Sequence, residues 1–213
     1  MSEYYPILFK LEGKPCIVIG GGWETGQRVL NLAATGARVT LISRAAPAEV
    51  QPLVQEGRVR WEARDYQPGD LAGAFLVIAC PEDRSLNREI WAEAEARGIA
   101  VNAIDDSPHC NFIFPAVLRR GHIVVAVSSS GKSPALAARI RDRIAREFGS
   151  EYGEFAGLLG ELRAEMIQRF PDFEQRKAVW YRLVDSGAIE HLKAGDSEAA
   201  EAALRNVLTE ATP

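Results

Sequence analysis

Three observations in the sequence predict an α/β chain that turns wholly helical towards its end. Short apolar, β-branched runs alternate with helical periodicity over residues 1–111, a glycine cluster closes the first of those runs, and after residue 112 the alternation gives way to a hairpin and then to helices alone. Strand–helix repetition implies parallel strands, because a parallel neighbour can be reached only through a crossover. The expected architecture is therefore a Rossmann-type doubly wound parallel sheet over 1–111, a small α+β segment over 112–149, and a C-terminal helical domain over 150–213.

The elements follow in order. Residues 4–11 are an apolar lead-in, and residues 14–19 form the first strand. A helix runs from the glycines to about residue 35, where Gly36 is a natural stop. Residues 37–42 are apolar on both faces, as a buried parallel strand should be. A helix is expected over 47–56, a third strand over 59–63, a loop over 65–73 and a fourth strand over 75–79. Residues 85–97 read as a helix ended by Gly98, and 99–104 as the fifth strand. Residues 112–118 and 122–127 then flank Arg119-Arg120-Gly121 as an antiparallel hairpin. Ser133-Pro134 starts a helix, with serine at the cap and proline in the first turn; Leu136, Ile140, Ile144 and Phe148 mark its apolar face. Leu158, Leu159, Leu162, Met166 and Phe170 form one stripe ended by Pro171, and residues 173–184 and 197–208 are later helices.

Composition narrows the function. The 213 residues are 47% hydrophobic and 25% charged, ordinary globular values. A net charge of −4 gives no reason to expect nucleic acid or an anionic membrane as partner. No apolar run approaches the ~20 residues of a membrane span, and Met-Ser-Glu-Tyr-Tyr-Pro is not a signal peptide. Cys16, Cys80 and Cys110 form neither a metal spacing nor a disulfide framework, so a reduced, cytoplasmic protein without a resident metal is expected.

The chemistry-bearing positions lie where the strands end. Cys16-Ile-Val-Ile-Gly-Gly-Gly-Trp-Glu-Thr-Gly26 opens a dinucleotide-binding unit. Gly20 permits the tight turn, Gly22 removes a Cβ from the path of a pyrophosphate, and the amides at the helix start hold the phosphates. The fingerprint's sixth position is Thr25, with Gly26 one residue later. The second strand ends Ile42-Ser43-Arg44 without the usual acid; Ser43 can bond a ribose, and Arg44 a 2′-phosphate. Ala79-Cys80-Pro81 ends the fourth strand on the same edge. The expected cofactor set is Gly20, Gly21, Gly22, Trp23, Glu24, Ser43, Arg44, Ala79, Cys80, Pro81 and Asn102, with NAD as the cofactor and NADP not excluded. Past the fifth strand, Asn102-Ala-Ile-Asp-Asp-Ser-Pro-His-Cys-Asn111 is dense in polar groups. A carboxylate and an imidazole there could move protons beside a nicotinamide, and Asp-Ser-Pro is equally good turn chemistry. Ala126-Val-Ser-Ser-Ser-Gly-Lys-Ser133 misses a phosphate-binding loop by one residue. Arg119, Arg120, Lys132, Arg139, Arg141, Arg143 and Arg146 surround it, which suits an anionic small molecule or simply a solvated face.

Tyr5-Pro6-Ile7-Leu8, the glycine run, Gly36-Ala37-Arg-Val-Thr40, Val101-Asn102-Ala-Ile-Asp105, Asn111-Phe-Ile-Phe-Pro115 and Val125-Ala-Val-Ser-Ser-Ser-Gly-Lys-Ser-Pro-Ala-Leu-Ala137 occur in one order. Together they resemble the precorrin-2 dehydrogenase / sirohydrochlorin ferrochelatase family, which includes the N-terminal module of siroheme synthase. The resemblance covers residues 4–185 and implies NAD-dependent oxidation of precorrin-2, an anionic tetrapyrrole, to sirohydrochlorin. It implies Fe²⁺ as a second substrate in some members, and a homodimer with 112–149 as the dimerisation segment. It places the essential aspartate on Asp105, and His109 and the Ser128–Ser130 loop in the substrate cleft. The catalytic pair expected here is thus Asp105 and His109, and the substrate-binding set Asn111, Ser128, Ser129, Ser130, Gly131 and Lys132. The sequence departs from the family at Trp23-Glu24-Thr25, Gln27-Arg28 and Pro81. The rival readings are a non-catalytic nucleotide- or tetrapyrrole-binding module and a phosphate-loop NTPase acting through residues 126–133.

Overall fold

The computed structural model describes residues 4–81 and 83–211. The chain divides into two compact units, residues 1–114 and 115–213. The first is built on five parallel strands: β1 (Pro15–Ile19), β2 (Arg38–Ile42), β3 (Val59–Glu62), β4 (Leu76–Ala79) and β5 (Ala100–Ala103). Their order is β3-β2-β1-β4-β5. β1 therefore lies at the centre, with β2 and β4 on its two sides in parallel register, Ile19 level with Ile42 and with Ala79. Between the strands run α1 (Trp23–Ala33), α2 (Gln51–Gln55) and α3 (Leu86–Ala96). The predicted doubly wound sheet is the one observed.

Both faces of the sheet are buried, which is why its strands read as unbroken apolar runs. Ile17, Ile19, Val77, Ala79, Val101 and Ala103 pack with Ile90 and Ala94 of α3. Cys16, Val18, Val39, Leu41 and Ile78 pack with Val29 and Leu32 of α1 on the other face. A structural loop is tied to the first of these layers through Glu93: its carboxylate accepts from the Tyr66 hydroxyl and from the amides of Gly69 and Leu71 at 2.5, 2.8 and 3.2 Å.

Two boundaries differ from expectation by more than two residues. The helix predicted over 47–56 contracts to Gln51–Gln55, preceded by turns. Pro52 has no N–H and fits only a first turn, so the helix begins where Pro52 becomes its second residue. The strand predicted over 112–118 starts only at Ala116, after Pro115, which could not have donated to a ladder. Phe112 instead packs against the sheet, with Phe114 edge-on to it at 5.1 Å.

The second unit opens with β6 (Ala116–Arg120) and β7 (Ile123–Val127), an antiparallel pair. Its turn is Gly121-His122 rather than Arg119-Arg120-Gly121, with Gly121 at φ 52° in the first turn position, where a two-residue hairpin favours glycine. Gly121 also lies under Gly153 of the next helix pair, whose own Cβ would stand 2.3 Å from the Arg120 carbonyl. α4 (Pro134–Glu147) follows with the predicted cap, the Ser133 hydroxyl accepting from the Leu136 amide at 3.2 Å. Of its expected apolar face, Leu136 and Ile140 are exposed. α5 (Glu151–Glu161), α6 (Arg163–Arg169), α7 (Phe173–Val184), α8 (Ala188–Lys193) and α9 (Ser197–Glu210) complete the unit. The predicted 158–170 stripe is split by the break after Glu161, yet Met166 and Phe170 are fully buried with Leu183, Leu192 and Leu204.

The turn from β1 into α1 is the tightest point of the sheet. Gly20 has φ +125°, and a Cβ placed on it would stand 2.0 Å from the Cys80 carbonyl oxygen; a Cβ on Gly22 meets nothing within 4 Å. Gly20→Ala is therefore expected to cost about 2–4 kcal/mol of stability from strain and overlap together. Gly22→Ala should cost under about 1 kcal/mol. Urea unfolding of both variants measures the difference.

Acid gives a second expectation. Burial disfavours the charged form of Glu93, but the Tyr66, Gly69 and Leu71 donors outweigh it, so its carboxyl titrates below the usual range. A group lowered in the folded state stabilises above its unfolded value, near ~4.3, and that contribution disappears as pH falls through the lower folded value. Glu93→Gln should thus cost about 1–2 kcal/mol at pH 7 and clearly less at pH 3, read as urea midpoints at the two values.

Candidate functional site

Because β1, β2, β4 and β5 run parallel, their carboxyl ends share one edge, and ligands of open parallel sheets bind there. A cleft of about 340 Å³ opens at that edge, lined by Ile19, Gly20, Gly21, Ile42, Ser43, Arg44, Asp65, Tyr66, Pro81, Asp83 and Leu86. The Gly20 amide donates to the Ile42 carbonyl at 3.0 Å and the Cys80 amide to the Ile19 carbonyl at 2.7 Å, so the three strand ends are stitched together under it. Gly22 is the residue before the first turn of α1, in extended conformation, with open space where its side chain would be. The first-turn amides of an eleven-residue helix therefore meet a backbone that a phosphate can approach closely. These residues fit the pyrophosphate of a dinucleotide.

The four residues after the glycines divide the work. Trp23 stands at the start of α1 with 74% of its surface exposed. Glu24 pairs with Arg28 at 3.2 Å, and the Arg28 guanidinium lies over the Phe114 ring at 4.4 Å. Thr25 is buried, its hydroxyl oxygen against the place a Gly20 Cβ would take. Gly26 supplies the close packing: a Cβ there would stand 2.2 Å from the Glu49 carboxylate.

The structure commits several expected ligand groups to the fold. Ser43 is buried; its hydroxyl donates to the Ala45 carbonyl at 2.9 Å and accepts from the Trp61 indole at 3.2 Å. Its proton is therefore spent, against the expectation that it serves a ribose. Arg44 is held by Asp65 in a two-pronged pair, Nε–Oδ1 2.8 Å and Nη2–Oδ2 2.6 Å. Ala79 is buried and its carbonyl accepts from the Ile104 amide. Burial pushes the Cys80 thiol up to about 11. Asn102 is buried and donates to the Phe112 carbonyl at 2.9 Å. Asn111 is fully engaged: Oδ1 accepts from the Val101 amide at 2.7 Å, and Nδ2 donates to Ile99 and Glu95 at 2.9 and 2.8 Å. Both asparagines latch the segment after β5 onto the sheet, and both amide hydrogens of Asn111 are taken.

Asp105 and His109 stand differently. Asp105 follows the end of β5 in the left-handed region, φ 58°, its side chain 73% exposed and 3.7 Å from the Arg84 guanidinium. Four residues on, in the short 3₁₀ turn Ser107–His109, the His109 ring Nδ1 lies 2.8 Å from Asp106 Oδ2. Asn87 donates to the same oxygen at 3.0 Å, and Trp91 packs edge-on to the imidazole at 5.6 Å. With a carboxylate as its acceptor, Nδ1 carries a proton, and Nε2 is the ring atom left for another partner. Hydrogen bonds from Asn87 and then His109 hold the Asp106 carboxyl below the usual range. The arrangement can orient an imidazole and accept a proton at either Asp105 or His109.

In the second unit, the Ser128 hydroxyl accepts from the Ser130 amide, the Ser129 hydroxyl from the Ser133 amide, and the Ser129 carbonyl from the Lys132 amide, at 3.0, 2.8 and 3.0 Å. Ser130 and Gly131 both take positive φ, 52° and 78°. The loop thus satisfies much of its own backbone. That, and its position after an antiparallel strand, sets it apart from a phosphate loop, which needs a parallel strand and outward amides. Because Ser128 and Ser129 accept from the backbone, each keeps a hydroxyl proton to give. Of the nearby cations, Arg120 is spent on the Phe148 carbonyl at 3.1 Å and Arg141 on Asp142.

Sequence reading missed Asp65 and Tyr66 in the cleft, the Asp106–His109 pair and the Gly26 contact. The end of a third parallel strand, two residues before Arg64, was the available signal for Asp65, and the three-residue spacing in a proline turn for Asp106.

Comparison with known proteins agrees with this geometry. Residues 7–116 match the family model described as "Putative NAD(P)-binding", 120–147 "Sirohaem biosynthesis protein central", and 151–208 "Sirohaem synthase dimerisation region". The dimerisation description thus falls on α5–α9, beyond the expected segment 112–149. Siroheme synthase of Methylobacillus flagellatus is 38% identical over 97% of this chain and 44% of its own length. That of Photorhabdus laumondii is 36% identical over 84% and 38%, and that of Pseudomonas aeruginosa 37% over 97% and 44%. The chain therefore spans less than half the length of these relatives. A solved structure titled "SirC, precorrin-2 dehydrogenase" shares the fold, with TM-score 0.76 at 21% identity over 97% of this chain and all of that one. Since residues 7–116 are more than half of it, the chain belongs to the family described as "Putative NAD(P)-binding", and its later segments match the two sirohaem descriptions.

Proposed function

We propose that this chain is an oxidoreductase that converts precorrin-2 to sirohydrochlorin with NAD⁺ as hydride acceptor, working as a cytoplasmic homodimer. The observation that carries the reading is Asp105: an exposed carboxylate on a left-handed turn at the carboxyl end of β5, on the edge that also carries the glycine turn. Removing hydride and proton from a reduced tetrapyrrole needs an acceptor for each; this edge offers a carboxylate for the proton and a cleft that fits a dinucleotide for the hydride.

The chain's own part is binding, orientation and proton movement. Gly20, Gly21, Gly22 and the first turn of α1 would hold a pyrophosphate, and the strand ends of β2 and β4 would flank the rest of the dinucleotide. Bound NAD⁺ supplies hydride acceptance. Asp105 takes the proton released from the macrocycle, with the Arg84 guanidinium 3.7 Å away. His109, fixed through Nδ1 by Asp106, presents Nε2 as an acceptor. The Ser128 and Ser129 hydroxyls and Lys132 would donate to the substrate's carboxylates. Iron insertion would use Fe²⁺ as a substrate, with Asp105 again receiving protons, now from pyrrole nitrogens. The reduced thiols Cys16, Cys80 and Cys110 suit a cytoplasmic setting.

The test uses the backbone conformation of residue 105. Asparagine tolerates the left-handed region, so Asp105→Asn keeps the turn while removing the base. With precorrin-2 and NAD⁺, formation of NADH should fall about 100-fold or more, while thermal unfolding stays unchanged. An undiminished rate would sink the assignment. His109→Gln should lower the rate less, about tenfold, read in the same NADH assay.

A further inference from the structure

We propose that Asp65, at the end of β3, makes this cleft selective for a dinucleotide with a free ribose 2′-hydroxyl and against its 2′-phosphate; the inference rests on the dinucleotide-binding reading above. In open parallel sheets of this order, the adenosine ribose lies past the end of the second strand, and an acid there accepts from its hydroxyls. Here β2 ends Ile42-Ser43-Arg44, with a cation where the acid belongs. From sequence that cation reads as a 2′-phosphate ligand. The structure reverses its sense. The neighbouring strand β3 pairs with β2 in parallel, Ile42 level with Glu62, so the residues just past both strands meet on the same edge. Asp65 comes to Arg44 in a two-pronged pair, with bonds of 2.8 and 2.6 Å, and both line the cleft.

Three consequences follow from that pairing. The guanidinium fork, the geometry suited to a phosphate, is already occupied by a carboxylate. The charge balance of the wall is wrong for a further dianion: among the described residues lining the cleft, Arg44 stands against Asp65 and Asp83. A carboxylate has about four acceptor sites, so Asp65 can hold Arg44 and still accept from a ribose hydroxyl. Ser43, the other candidate for that hydroxyl, has given its proton to the Ala45 carbonyl. Asp65 thus supplies from the third strand the acid missing from the second.

The experiment is equilibrium binding of NAD⁺ and of NADP⁺, by titration calorimetry at fixed ionic strength, to the parent chain, Asp65→Asn and Asp65→Asn/Arg44→Ala. Both side chains are largely exposed, so the variants should fold as the parent does. The parent is expected to bind NAD⁺ at least about tenfold more tightly than NADP⁺. In Asp65→Asn the ratio should fall about tenfold, through weaker NAD⁺ and stronger NADP⁺ binding. The double variant should lose the gain in NADP⁺ affinity. An Asp65→Asn ratio within about twofold of the parent's, or a parent that prefers NADP⁺, overturns the role of Asp65 and leaves the dinucleotide site standing. A parent that binds neither dinucleotide overturns both.

Discussion

The first unit depends on a close approach at its centre. β1 must end, turn and enter α1 while the backbone of β4 passes directly beside it. The contact is so tight that any side chain on Gly20 would overlap the Cys80 carbonyl. The bonds from Gly20 to Ile42 and from Cys80 to Ile19 fix the two neighbouring strands to that turn. Everything chemically useful is arranged around this knot. It sets the helix N-terminus over the strand ends, opens the cleft between β2 and β4, and leaves Gly22 unhindered. The glycines therefore do two separate jobs, one of packing and one of access.

Much of this was legible in the sequence because the causes are local. Apolar runs buried on both faces, glycine stops and proline starts produced the five strands, their parallel direction and most helix positions. What escaped was set by partners distant in sequence. Proline 52 could shift the start of α2 only because a helix tolerates it in one turn. Asn102 and Asn111 looked like ligand groups at a strand end, yet they hold the next segment in place; no local pattern distinguishes the two uses. Asp65 was assigned to a loop, and only the parallel pairing of β2 with β3 brings it to Arg44. Asp106 stood beside a more conspicuous aspartate, and its bond to His109 required the 3₁₀ turn to form.

The polar groups at the strand edge fall into two classes. Ser43, Asn102 and Asn111 donate to carbonyl or carboxylate groups of the protein and act as struts. Asp105, its side chain 73% exposed, and the first turn of α1 keep capacity for a ligand. This division accounts for why Asp105 carries the functional proposal while its equally polar neighbours do not. It also separates the glycine turn of the sheet from the serine loop 128–133, which uses much of its hydrogen-bonding capacity on itself.

Amide hydrogen exchange on the free chain and with saturating NAD⁺ tests the central claim, that the edge organised by Gly20 is the dinucleotide site. Protection is expected for the amides of Gly21, Gly22, Trp23 and Glu24 and for the segment after β3, with residues 128–133 unchanged. Protection confined to residues 128–133, with the glycine turn unaffected, would contradict the account.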